Sequence, residues 1–288
     1  MPHALATSRT RSSAGTRARR AGVATVVAGI LALTGCGTAP ESGDTDVDGA
    51  AGTNLSGSLT VAAAASLQEA FAEIADDFRV EHPGVEFDAL TFDGSSVLAA
   101  QIIGGAPVDV FASADEHTMS SVADAGLLGA EPVPFATSSL EIAVAPGNPL
   151  GIESLADLDD LGGDGRVPTL VMCAPEVPCG AAARQLLERD GVELDPASEE
   201  QNVTAVMTKV ASGEADAGLI YRSDVLRSAG EVDGIEIPGA AEAAGSYLIA
   251  PLEGSRSDAA ARAFADYLLT DSAQARLADL GFGPVPVP

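Results

Sequence analysis

The sequence predicts an α/β protein of two lobes, each a mostly parallel sheet flanked by helices, with a ligand cleft between them. Three observations lead there. Short apolar runs of strand length alternate with segments of helical period from residue 59 to residue 125, and a second such alternation covers 139–221. One late apolar run, Ser246–Pro251, returns before two amphipathic stretches at the C-terminus. Strand–helix–strand order makes neighbouring strands parallel and puts helices on both faces. Ligands of such open sheets sit at the carboxyl ends of strands, beside helix N-termini.

The elements follow in order. Leu59–Ala65 is an apolar run that reads as buried strand, and Ser66 then opens a helix. Leu67, Ala70, Phe71, Ile74 and Phe78 fall at helical spacing, and Ser66 with Glu69 three residues on reads as a capping box. His82-Pro83-Gly84 ends that helix, and Val85–Phe92 is strand. Gly94-Ser95-Ser96 leads into a helix from Val97 to Ile103; Val108–Ala112 is strand and Glu116–Ala125 helix, with Gly126 as its C-cap. In the second unit Ser139–Ala145 is strand, Thr169–Cys173 strand, Gly180–Arg189 helix, Val203–Ala211 helix and Ala217–Tyr221 strand. Ser257–Leu269 and Ser272–Leu280 are the C-terminal helices.

Charge narrows the function classes. The 288 residues carry 15 Lys and Arg against 42 Asp and Glu, a net charge of −27. Five of the cations are Arg9, Arg11, Arg17, Arg19 and Arg20, and no acid precedes Cys36, so the rest of the chain holds ten cations against 42 acids. A body that acidic repels phosphate backbones and anionic membrane surfaces, which excludes nucleic acid as a partner.

The basic residues 1–20 precede an apolar run, Ala21–Leu33, that is too short to span a bilayer. A basic segment before a short apolar one is a secretory signal. It ends in Leu33-Thr34-Gly35-Cys36, similar to the bacterial lipobox, in which the cysteine becomes the acylated first residue. Residues 37–57 are small, polar and acidic, the composition of a flexible tether. Two cysteines remain, Cys173 and Cys179, and an even pair in an exported chain reads as a disulfide.

Five motifs in sequence carry a resemblance. They are Val61-Ala-Ala-Ala-Ala-Ser66-Leu, Phe92-Asp-Gly-Ser95-Ser, Gly105-Ala-Pro-Val-Asp-Val-Phe-Ala-Ser-Ala-Asp115, Ala174-Pro-Glu-Val-Pro-Cys179-Gly and Gly218-Leu-Ile-Tyr221-Arg-Ser-Asp224. Together they resemble the molybdate-binding proteins of ABC importers, which are class II periplasmic binding proteins, over residues 58–288. The resemblance implies an extracytoplasmic receptor that captures molybdate or tungstate and delivers it to an ABC permease. It implies a monomer, not an enzyme, with no cofactor besides the oxyanion, touching the membrane through the lipid at Cys36. Its domains would be residues 1–35 (signal), 36–57 (tether), 58–138 with 245–288 (first lobe) and 139–244 (second lobe). The implied ligand set is Ser66, Ser95 (with Ser96 as a one-residue alternative), Cys179, Val203 and Tyr221, which hold molybdenum only as its oxyanion. Cys179 stands where better-known members have Ala, but the contact is a backbone N–H. The disulfide would staple the loop that carries it.

The chemistry is sensible without the resemblance. A tetrahedral dianion needs donors, not cations, and helix N-termini supply oriented N–H groups with about half a positive charge each. Such a donor-only cage suits a fully deprotonated oxyanion, provided that Asp93 and Glu176, both close to proposed contacts, point away from it. The same fold could take sulfate, phosphate, a ferric ion or an organic solute. A secreted serine hydrolase using Ser66 or Ser95 is the reading from another class. It would have only His82, His117 or Lys209 as base, and the sequence has no G-x-S-x-G elbow.

The tail yields a test. Cys36→Ala should move the protein from the membrane fraction to the soluble one with its ligand affinity intact, because acylation is what holds an otherwise acidic body at the membrane. Identical partitioning of mutant and wild type would contradict the lipobox reading.

Overall fold

A computed structural model describes residues 55–161, 165 and 167–285. The signal segment, Cys36 and nearly all of the expected tether lie outside the described residues. Strand β1 (Ser56–Ala64) already includes Ser56 and Gly57, which pair with Gly84 and Val85, so the sheet begins two residues inside the expected tether.

The first sheet joins β1, β2 (Gly84–Asp93), β3 (Val110–Ser113), β4 (Val133–Thr137) and a late strand, β10 (Ser246–Pro251), in the order β2-β1-β3-β10-β4. The second joins β5 (Leu140–Val144), β6 (Leu170–Cys173), β7 (Ser198–Glu200), β8 (Ala217–Tyr221) and β9 (Asp233–Glu236) in the order β7-β6-β8-β5-β9. Both sheets are mixed rather than mostly parallel. β2-β1-β3 and β7-β6-β8 are parallel, whereas β10 and β5 run antiparallel to both of their neighbours. The parallel triplets are the strands followed by crossover helices. β10 and β5 are reached by chain that passes from one sheet to the other, and a strand that enters without a crossover helix is free to run the opposite way.

The helices are α1 (Gln68–Glu81), α2 (Ser95–Ile103), α3 (Glu116–Asp124), α4 (Pro178–Asp190), α5 (Val203–Ala211), α6 (Arg222–Arg227), α7 (Ala240–Ala244), α8 (Asp258–Tyr267) and α9 (Asp271–Asp279). A 3-10 turn, Ala65–Leu67, runs straight into α1. Among the described residues no helix is long and apolar enough to cross a membrane.

Side chains alternate across a strand, and β1 shows the result. Leu59, Val61 and Ala63 pack with α1, α8 and α9 on one face, and Ala62 packs with α2 and α3 on the other. Phe71, Phe78, Phe87 and Phe264 fill the first face with edge-to-face contacts, the Phe71 and Phe264 rings lying 5.9 Å apart at 87°. The second sheet has its own core of Ile142, Val144, Leu170, Leu186, Val206 and Ile220. The first sheet is cored on both faces and the second has a core of its own, which gives two lobes.

One expectation of local structure fails. Ser66 does not cap α1: the helix has no side-chain cap, and Ser66 Oγ is 2.9 Å from the Tyr247 hydroxyl on β10 instead.

Candidate anion-binding site

The carboxyl ends of β1, β2, β3, β6 and β8 meet at one small cavity. The space there, including what is open to solvent, is about 210 Å³. The first lobe contributes Ala64, Ala65, Ser66, Asp93, Gly94, Ser95 and Ala114, and the second contributes Val177, Pro178, Cys179, Asn202, Val203 and Tyr221. All five residues expected to hold the ligand are on this wall. Ser96 is not, although its hydroxyl is buried without a partner.

Four helix starts converge here: the turn beginning at Ala65, then α2 at Ser95, α4 at Pro178 and α5 at Val203. First-turn N–H groups have no partner within their own helix. At α5 the Asn202 side chain satisfies one, its Oδ1 accepting from Ala205 N–H at 2.9 Å, which leaves Val203 N–H beside the cavity. At α4 the proline at the first position spends no donor, and Cys179 and Gly180 follow with theirs. The backbone there is tightly folded. A Cβ on Gly180 would stand 1.9 Å from the Ala174 carbonyl oxygen, and a Cys173–Cys179 disulfide closes the same loop.

The three hydroxyls on the wall are prepared as donors. Neither serine caps its helix, so the commoner role for a serine at a helix start is not the one seen. Ser95 Oγ accepts from Ala114 N–H at 3.1 Å, which frees its own hydrogen. Ser66 Oγ has the Tyr247 hydroxyl at 2.9 Å; when Tyr247 donates, the Ser66 hydrogen is free as well. Tyr221 OH is buried with no protein partner. Burial pushes both tyrosine hydroxyls well above the usual range, and neighbouring acids raise Tyr221 further, so both keep their protons at any physiological pH.

A second layer holds these groups. The Tyr221 and Tyr247 rings meet at 65° with centroids 5.9 Å apart. Asp224 is fully buried; it pairs with Arg227 at 2.7 Å and accepts from Tyr221 N–H at 3.3 Å. Burial raises the Asp224 pKa and Arg227 opposes the shift. Arg227 also donates to Thr204 Oγ1 at 2.9 Å, tying α6 to the start of α5.

Asp93 overturns one expectation, for it lines the cavity. Its Oδ1 is engaged, accepting from Gly94 N–H at 2.8 Å and from Asn202 Nδ2 at 2.7 Å. Glu176 lies away from this wall, at a neighbouring depression, within 3.4 Å of Gln201 Nε2. Sequence reasoning missed Tyr247 and Asn202. Asn202 had a signal, an N-cap residue directly before a helical run. Tyr247 had none, because only the return of β10 brings it to Ser66.

No Lys, Arg or His lines the cavity, and among the described residues no cluster of His, Cys, Asp and Glu stands ready for a metal ion. The arrangement is a set of neutral donors from two lobes around a small cavity, the chemistry of a site for a small anion.

Comparisons agree with that class. The family model of the bacterial extracellular solute-binding proteins matches residues 59–283. The molybdate-binding protein ModA of Mycobacterium tuberculosis (strain ATCC 25618 / H37Rv) is 46% identical over 222 residues, 77% of this chain and 82% of that protein. Among solved structures, the periplasmic molybdate-binding protein of Azotobacter vinelandii superposes with a TM-score of 0.66 at 22% identity, covering 80% of this chain and 99% of the other. The sulfate-binding protein SubI of Mycobacterium tuberculosis H37Rv gives the same TM-score at 20% identity, covering 80% and 92%. The chain belongs to the bacterial extracellular solute-binding proteins.

The hydroxyls differ in what they do for the empty protein, and this separates two mutants. Tyr221→Phe deletes an unpartnered buried hydroxyl and should leave the unliganded melting temperature unchanged or higher. Ser95→Ala orphans the buried Ala114 N–H and should cost about 1–3 kcal/mol of stability. Calorimetry of both variants without ligand checks the contrast; a marked loss in Tyr221→Phe would mean that its hydroxyl has a partner in the protein.

Proposed function

We propose that this protein is an extracytoplasmic solute-binding lipoprotein that closes around molybdate or tungstate as a monomer and hands it to an ABC permease. The signal at residues 1–35 exports it, the acyl group on Cys36 holds it at the membrane, and the tether lets it reach the permease. It catalyses no reaction, and the oxyanion is cargo.

The observation that carries this reading is the convergence of helix starts and free hydroxyls on a cavity without a cation. Ser66, Ser95 and Tyr221 offer hydroxyls; Cys179 and Val203 offer backbone N–H groups. Hydrogen bonds to a charged group contribute about 1.5–3 kcal/mol each, and five or more oppose the cost of drying a dianion. The names of the relatives, molybdate-binding in both Mycobacterium tuberculosis and Escherichia coli, favour molybdate over other oxyanions. Tyr221→Phe should weaken binding about 10- to 150-fold.

Selectivity tests the ligand. Sulfate has the charge and shape of molybdate but shorter bonds. Donors fixed on helix starts in two lobes cannot all follow it inward, and hydrogen bonds weaken with poor geometry. A loss of about 0.7 kcal/mol on each of about six would total near a thousandfold. Phosphate at neutral pH carries a proton that needs an acceptor, and Asp93, whose Oδ1 already accepts from two donors, is the one carboxylate among the lining residues. Calorimetric titration at neutral pH should find tight binding of molybdate and tungstate, far weaker binding of sulfate, and least of phosphate. Sulfate within tenfold of molybdate would overturn the size argument, and tight phosphate binding would mean that Asp93 takes its proton.

A further inference from the structure

Where the lobes meet beside the cavity, two short segments face each other: Asp93-Gly94 at the end of β2 and Gln201-Asn202 ahead of α5. They lie close. A Cβ on Gly94 would stand 2.0 Å from the Gln201 carbonyl oxygen, so only glycine permits this approach. Asp93 Oδ1 accepts from Asn202 Nδ2 at 2.7 Å across the gap, between residues 109 apart in sequence.

Both ends of the Asn202 amide are used. Nδ2 reaches Asp93 on the first lobe, while Oδ1 caps α5 on its own lobe at Ala205 N–H. Asp93 is likewise fixed, by Gly94 N–H at 2.8 Å. The seam is chained directly to proposed ligand donors. Ser95 follows Asp93-Gly94, and Val203 follows Asn202. Opening the lobes breaks the Asp93–Asn202 bond and separates the Ser95 donors from the Val203 donor in one movement.

We propose that Asp93 and Asn202 are a positioning pair, an interlobe latch that holds the closed state and sets the register of the α5 start against the α2 start around the anion. This rests on the oxyanion reading above. The Asp93 carboxylate is oriented on this wall by two N–H donors to its Oδ1, one from its own lobe and one across the seam. The latch therefore acts mainly on release: it adds to the closed form and leaves capture by the open form almost untouched.

The test uses three variants of the full-length protein. Asn202→Ser keeps a good helix cap and the net charge but has no amide to reach Asp93. Its molybdate dissociation rate, read by exchange against radiolabelled molybdate, should rise about tenfold, with the association rate within about twofold of wild type. Asn202→Asp keeps the cap but opposes two carboxylates, and should bind more weakly still. Combining Asn202→Asp with Asp93→Asn reverses the hydrogen bond, restores one carboxylate to the pair and should bring the dissociation rate back within about threefold of wild type. Closure is followed separately by the distance between spin labels at exposed Val80 and Glu188, with and without anion. Asn202→Ser should populate the longer distance more than wild type does in both conditions, and the swapped pair should not. A wild-type protein that ignores molybdate would refute the ligand reading, while the spin-label distances would still judge the latch. Wild-type dissociation kinetics in Asn202→Ser, or an unchanged distance distribution, or a swap as impaired as Asn202→Asp alone, would overturn it.

Discussion

Backbone N–H groups at a helix start have no partner in their own helix, and here four such starts point at one buried spot between two lobes. Aligned positive dipole ends repel one another, and buried donors without partners cost about 1–3 kcal/mol each. Caps would remove that cost, and the sequence places Ser66 and Ser95 where caps could form. Neither serine is spent that way. Ser66 turns to Tyr247 and Ser95 takes the Ala114 N–H, so the helix starts stay open and two more hydroxyl donors are added. Most of the remaining site serves this arrangement. The tight loop around Gly180 places α4, the Asp224–Arg227 pair places Tyr221 and α5, and the Tyr247 ring packs against that of Tyr221.

Such a cage reconciles a strongly acidic protein with an anionic ligand. A chain with few cations spends most of them near its surface: Arg79, Arg184, Arg189, Arg262 and Arg276 all pair with exposed or half-exposed acids, whereas Arg227 pairs with a fully buried acid, Asp224. Oriented dipoles in a small cavity are less screened than they would be on an open surface. A donor set without a mobile cation also has a fixed size, on which the proposed selectivity between anions of equal charge rests.

Legibility in the sequence followed burial. The central strands β1, β3, β6, β8, β5 and β10 are apolar runs and could be read directly. The strands with no clear signal, β4, β7 and β9, all lie at sheet edges, where half the residues face water and β4 carries Pro134. The mixed order of the sheets was hidden because strand direction depends on how the chain passes between lobes, not on composition. The five expected ligand residues share the cavity because each stands at or just after the end of a strand: Ser66 after β1, Ser95 after β2, Cys179 after β6, Val203 after β7 and Tyr221 as the last residue of β8. Asp93 was misread for a related reason: whether a carboxylate beside a site threatens or supports it depends on its partner, and Asn202 arrives from the other lobe.

The proposed site holds its anion with neutral donors and no cation, and the salt dependence of association tests that most directly. An acidic body repels a dianion at long range, and salt screens that repulsion. The association rate of molybdate should therefore rise as sodium chloride increases from low to physiological concentration, while the dissociation rate, set inside the closed cavity, stays nearly constant. An association rate that falls steeply with salt would show a cationic site and contradict the account.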